Sequence, residues 1–286
     1  MGRGVRRSFP LLAGVLWILL CAGCGLLPGF QQGTEEMVEE PTFPAGEQML
    51  PVWQYEFWLT QAKETLRNAM EAEPDWRNPK LQEKLKRQAL ADTALCAVVD
   101  DWASRWRCDG VETLGTGAMP ALASLPADPD HARVLAGTVQ KYRNLQALAA
   151  EPESPMRPEL DAFAAESGFL TVDRILTTGA DAESRANALF AALNRGGDFA
   201  SLAAKGDDHT GPRSLLPGDG TLDPALEAAA AALEPGQHSG LLASKAGRSI
   251  LLRLPPDRTV LAALWLDQTL LKEASDLAVA ARPPDL

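Results

Sequence analysis

Few residues of this 286-residue chain have types suited to chemistry: three histidines, four cysteines, the adjacent acids Asp207 and Asp208, and Ser249 among the serines. Three histidines and four cysteines leave little material for a zinc site or a disulfide-stapled scaffold, so no metal and no cofactor are expected. Asp207 and Asp208 could act as paired carboxylates in proton exchange, although adjacent acids in a polar loop are ordinarily both solvated. Ser249 as a nucleophile lacks any supporting His or Asp pattern. His209 lies in a Gly/Asp/Pro loop and His238 follows a turn, and residue type places both at the surface rather than in a ligand set. Cys96 and Cys108 would be an oxidisable pair in a secreted protein. Both, however, fall on or just past one long helical signal, where twelve residues rise about 18 Å. A disulfide needs Cα atoms within ~7 Å. The two are therefore expected to be unjoined unless the helix breaks between them.

The remaining cysteines, Cys21 and Cys24, close the first segment. MGRGVRRSFP carries Arg3, Arg6 and Arg7 and no acid, and LLAGVLWILLCAG follows as 13 residues without a charge. A basic start, a short apolar run and small residues describe a bacterial secretory signal over residues 1–23. The run is shorter than the ~18 residues of a spanning helix. Leu20-Cys21-Ala22-Gly23-Cys24 resembles a lipobox, with Cys21 where Leu is usual three places before the cut. Lipidation at Cys24 would hold the mature chain on the extracytoplasmic, periplasmic side of a bacterial membrane. The rival readings are a C-x-x-C redox pair, which belongs at a helix start inside a folded domain, and an uncleaved anchor running to Phe30. Removing residues 1–23 moves the formal net charge from −11 to −14. So acidic a body excludes non-specific nucleic-acid binding, which needs a basic surface.

Several elements must then carry the chain. Residues 24–48, rich in Gly, Pro, Gln and Glu without an apolar period, read as a flexible linker that gives reach from a membrane. Residues 49–166 read as a helical domain. Trp58, Ala62, Leu66 and Met70 stripe a helix over 49–70. Leu85, Ala89, Leu95, Val99, Trp102 and Trp106 stripe the longest one, over 81–107. Leu135, Val139, Tyr142 and Leu145 stripe a third over 131–149, and a short helix covers 159–166. Trp53, Trp58, Trp76, Trp102 and Trp106 all lie in this half, and the mature chain has one other tryptophan, Trp265, in a helix over 259–281. A large aromatic in a terminal helix needs partners, so residues 258–286 are expected to return and pack on the helical domain.

From Gly168 the texture changes. A strand is expected over 169–177, then helices over 181–195 and 198–206, capped by Asp181 and Asp198. Asp223-Pro224 opens a helix over 224–233, Glu234-Pro235-Gly236 is a turn, and strands are expected over 237–243 and 249–254. This order resembles the parvulin family of peptidyl-prolyl isomerases, over residues 167–257. Arg174-Ile175-Leu176 stands where the family has His-Ile-Leu, and NRGGDFASL over 194–202 is similar to its Gly-Gly-x-Phe-x-x-Leu segment. Leu222-x-Pro224-Ala225-Leu226-Glu227-x-Ala229 resembles the stretch before the family's third helix. Leu233-x-Pro235-Gly236-Gln237-x-Ser239 resembles its Leu-x-Pro-Gly-Glu-x-Ser turn, and residues 247–254 resemble its closing strand. With a helical domain before and a returning helix after, the arrangement resembles the SurA/PrsA type of extracytoplasmic foldase. The implied fold is α+β, a mostly helical chaperone-like domain with a small parvulin-like α/β domain inserted.

The resemblance implies partners that are unfolded or partly folded secreted polypeptides, and a site made of an apolar pocket beside two histidines and a Cys or Asp. Here the two histidine positions hold Arg174 and Ser249, and the family's Gly-Gly-Asp-Leu-Gly loop has become Gly211-Pro212-Arg213-Ser214-Leu215, without its acid. Asp208 is the candidate for the Cys/Asp position and the one catalytic candidate. Leu222 and Leu226 stand at the Met and Phe positions of the substrate-binding pocket. An isomerase of the amide bond faces a barrier of ~18–20 kcal/mol, and without the histidines isomerase activity is in question. The alternative is a catalytically inactive interaction module that holds an envelope assembly together.

Overall fold

The computed structural model describes residues 40–70, 72–108, 126–208 and 210–284. The signal and Cys24 lie outside the described residues, as does His209. The chain divides into two compact units: residues up to Leu145 together with those from Gln268 onward, and Gln146–Asp267.

The first unit opens with a hairpin of β1 (Thr42–Ala45) and β2 (Gln48–Pro51), where a linker and a helix start were expected. Three prolines, Pro41, Pro44 and Pro51, disguise it in the sequence. The strands alternate nonetheless: Phe43, Ala45 and Leu50 are buried while Thr42 and Pro44 face out. Gly46, at φ 58°, takes the first central place of a two-residue turn, a conformation that costs other residues a steric penalty. Helix α1 (Val52–Ala69) follows, then α2 (Pro79–Arg105), whose first turn is capped by Asn78 accepting from the Lys80 backbone N–H at 3.0 Å. Phe43, Leu50, Tyr55, Leu59, Leu85, Ala89 and Ala281 make one core, flanked by Trp58, Trp76 and Leu277.

Helix α3 (Pro129–Ala150) is tied to α2 by Thr138 and Lys141, both 3.2 Å from Asp100. The last helix, α8 (Arg258–Ala280), belongs to this unit from Gln268 onward, and its Glu273 accepts from the Trp102 indole at 2.8 Å. Just past its end, Ala281 bridges Ala45 beside an Arg282 N–H donated to the Pro44 carbonyl at 2.9 Å. Cys96 and Cys108 are both buried and are not joined by a disulfide. The helix between them ends at Arg105, and Arg107, at φ 56°, turns the chain so that Cys108 donates its N–H back to Ala103 at 2.7 Å. Burial pushes the Cys96 thiol up to about 12, with Asp100 adding to the shift.

The second unit begins with α4 (Arg157–Ser167), stopped by Gly168 in the left-handed region. Strand β3 (Leu170–Thr177) leads to α5 (Ala182–Asn194), the short α6 (Phe199–Ala203), β4 (Arg213–Leu215), α7 (Pro224–Ala231), β5 (Leu242–Ser244) and β6 (Gly247–Leu254). The sheet is antiparallel throughout, in the order β4-β3-β6-β5. Strand β4 was not expected, because Gly211 and Pro212 make its approach read as loop. The strand expected over 237–243 is a single bridge, His238 to Leu252, followed by the three-residue β5. Side chains alternate across the sheet. Ile175 and Ile250 pack with Leu193, Phe199, Leu202 and Ala203 on one face; Leu170, Val172 and Leu251 pack with Leu215, Leu222, Leu226 and Ala230 on the other.

Candidate functional site

The site lies on the α7 face of the sheet, where the apolar packing stops. Arg174 follows Val172 by two residues and sits directly opposite Leu251, so it shares their face. Ser249 pairs with Leu176 and is therefore diagonal to Arg174 on that same face. Asp208 arrives from the other edge of β3. Gly206 permits this: a Cβ there would stand 2.7 Å from the Leu176 carbonyl oxygen, and the close pass lets Asp207 donate its N–H to that oxygen at 2.7 Å.

Asp208 is the centre of an ion cluster. Arg174 grips its Oδ2 from two nitrogens, Nε at 3.1 Å and Nη2 in closer contact. Arg213 brings Nη2 to 3.1 and 3.2 Å from the two carboxylate oxygens. Thr210 donates its hydroxyl to Oδ1 at 2.8 Å while accepting from Arg213 Nε at 2.9 Å. The side chains of Asp208, Arg174 and Arg213 are 11%, 18% and 33% exposed. Burial alone would raise the Asp208 pKa; the hydrogen bonds from Arg174 and Thr210 outweigh it and hold the carboxyl at about 2.

Asp207 does not pair with its neighbour. Arg185 donates to it at 2.8 and 3.2 Å, and the Thr178 backbone and hydroxyl donate at 2.7 and 2.9 Å. The Arg185 bond above all, with those of Thr178, holds its carboxyl well below the usual range. The two adjacent acids thus face different arginines, and each is a fixed anion at neutral pH with no proton to exchange.

Ser249 is fully buried, and its Oγ makes no hydrogen bond among the described residues. Leu222 and Leu226, the expected pocket residues, are 5% and 1% exposed and lie inside the sheet's core, where they support the face instead of fronting it. His238 is half-buried rather than solvated: its Nδ1 is 3.0 Å from the Ser239 carbonyl oxygen, and Phe190 meets its ring edge to face at 6.0 Å. The structure therefore brings Arg174, Asp208, Ser249, Leu222 and Leu226 to one face. It adds Arg213 and Thr210, which sequence reasoning missed. Their signal was charge: a half-buried Arg174 demands a counter-ion, and the loop supplying Asp208 also carries Arg213. Among the described residues no group of three or more His, Cys, Asp or Glu could hold a metal ion, and no helix is long and apolar enough to cross a membrane.

The chain is similar to PrsA foldases. One solved structure it matches is PrsA from Bacillus subtilis, at 14% identity and a TM-score of 0.31, over 80% of this chain and 82% of that one. A peptidylprolyl isomerase (PrsA) from Bacillus cereus matches at 19% identity and 0.29, over 79% and 81%. Foldase protein PrsA from Streptococcus pneumoniae matches at 14% and 0.29, over 85% and 94%. No family model and no curated protein matches the chain.

Proposed function

We propose that the chain is a membrane-tethered extracytoplasmic chaperone of the foldase kind, which binds unfolded or partly folded secreted polypeptides and has little isomerase activity of its own. One observation carries the reading. After α4 the second unit runs strand, two helices, strand, helix, two strands, as a parvulin-like domain does, while the two histidine positions hold Arg174, bound to Asp208, and Ser249, sealed from solvent. Imidazole exchanges donor and acceptor roles at neutral pH; a guanidinium only donates, and keeps its charge. In this reading the parvulin-like domain is inserted into the helical domain, with the chain leaving along α3 and returning along α8. The tether is a lipid on Cys24.

Two measurements test it. Full chain added to a reduced, unfolded secreted protein is expected to suppress its aggregation as it is diluted from denaturant; no suppression would refute the chaperone reading. Cys24→Ser is expected to release the protein from membranes or leave an unprocessed precursor, and normal membrane retention of the processed form would refute the lipid anchor. The burial of Leu222 and Leu226 favours a second reading, an inactive module of an envelope assembly. Tight binding to one folded partner, without binding to unfolded chains, would select it.

A further inference from the structure

The ion cluster is unbalanced. Two guanidiniums, Arg174 and Arg213, share one carboxylate, Asp208, which leaves one positive charge uncompensated among the described residues. The neighbouring acids do not supply the difference. Asp207 is engaged by Arg185 and Thr178. Asp173 accepts from the Arg174 backbone N–H and, by strand alternation, belongs to the opposite face. Donors are left over as well. Arg174 uses Nε and Nη2 on Asp208, and Arg213 uses Nε and Nη2 on Thr210 and Asp208. The Nη1 group of each arginine, with two N–H donors, makes no hydrogen bond among the described residues. Arg213 is one-third exposed, so part of the cluster opens to solvent. Its inner side is bounded by the buried Val172 and Leu251, surroundings that strengthen a charge-assisted hydrogen bond relative to water.

We propose that the Arg174–Asp208–Arg213 cluster binds a polypeptide carboxylate, either an acidic side chain or a chain's C-terminal carboxylate. The inference rests on reading this face as the one that meets client chains, and it names what the face recognises. Charge selects the class: a monoanion neutralises the single excess charge, whereas a dianion such as phosphate leaves the cluster negative within a chain of net charge −11. Geometry agrees, because a planar guanidinium fork presents parallel N–H bonds to a carboxylate.

Three peptides of otherwise identical sequence test this against the full chain by calorimetry: one capped at both ends with a single Glu, its capped Gln counterpart, and the Gln peptide with a free C-terminal carboxylate. The Glu peptide or the free-carboxylate peptide is expected to bind about fivefold tighter than the capped Gln peptide, the size of a partly exposed ion pair. Which of the two does so identifies the source. Arg213→Gln is expected to abolish the difference, and Arg213→Lys to keep part of it through charge without the fork. Inorganic phosphate is expected to bind no more tightly than acetate. Equal affinity for all three peptides, a difference that survives Arg213→Gln, or tighter binding of phosphate would overturn the proposal. If Arg213→Gln fails to fold, the wild-type peptide comparison and Arg213→Lys decide it. Retained suppression of aggregation with no carboxylate preference defeats this site alone; loss of suppression in the wild type defeats the chaperone reading.

Discussion

The two faces of the four-stranded sheet come from the same pair of central strands, one residue out of phase, yet they end differently. Towards α5 and α6 the face is closed by Ile175, Ile250, Phe199, Leu202 and Leu193. Towards α7 the same kind of packing runs through Leu170, Val172, Leu251, Leu222 and Leu226, and then meets Arg174. From there Asp208, Thr210 and Arg213 are all committed to satisfying charge. An apolar side chain at 174 would pack with less desolvation cost, since a buried ion pair is at best a weak contributor to stability. The α7 face therefore departs from the simplest stable solution at Arg174, Asp208 and Arg213.

Variants on the two faces separate these roles. Asp208→Ala leaves two guanidiniums facing each other without their anion, and is expected to cost about 3 kcal/mol, the lower end for removing one partner of a buried pair because the cluster is partly open to solvent; chemical denaturation measures it. Ile250→Ala, on the apolar face, is expected to cost about 3 kcal/mol by cavity formation alone, with no change in carboxylate preference. The pH dependence is a third separation. The Asp208 carboxyl titrates at about 2 in the folded chain against an ordinary 3.8. A depressed folded value means that stability is present above the unfolded pKa and is lost as pH falls through the folded one. Wild type is thus expected to lose stability between about pH 4 and pH 2 by a component absent from Asp208→Ala, read as the difference in melting temperature across that range. The smallest expected effect is that of the triple variant Arg174→Met with Asp208→Leu and Arg213→Met. Replacing all three charges by apolar groups is expected to keep stability within about 1 kcal/mol of wild type while removing the carboxylate preference. A triple variant as unstable as Asp208→Ala would mean that the charge itself holds the face together.

The long, periodic elements were legible in the sequence because their signals are local. The helices now at 79–105, 129–150 and 258–280 and the strand at 170–177 follow their expected positions closely. What was hidden depended on distant partners. The hairpin at 42–51 is written in Pro, Gly and Glu, and becomes a hairpin because Phe43, Ala45 and Leu50 have Tyr55, Leu59 and Ala281 to bury against. Strand β4 is three residues long and exists by pairing with 170–172. At the site, Arg174, Asp208 and Ser249 could be picked out from the sequence as candidates. The roles of Arg213 and Thr210 could not, because they follow from where Gly206 lets the loop pass β3. Leu222 and Leu226 stood out as apolar positions, and their burial depends on how α7 seats on the sheet.

The most direct test of the account is the rate of cis/trans exchange across a panel of X-Pro peptides with the unmodified full chain, alongside suppression of aggregation by the same preparation. The predicted result is exchange close to the uncatalysed rate, tens of seconds or slower, with aggregation still suppressed. Efficient catalysis by the unmodified chain, lost on Asp208→Ala in protein that remains folded, would contradict it.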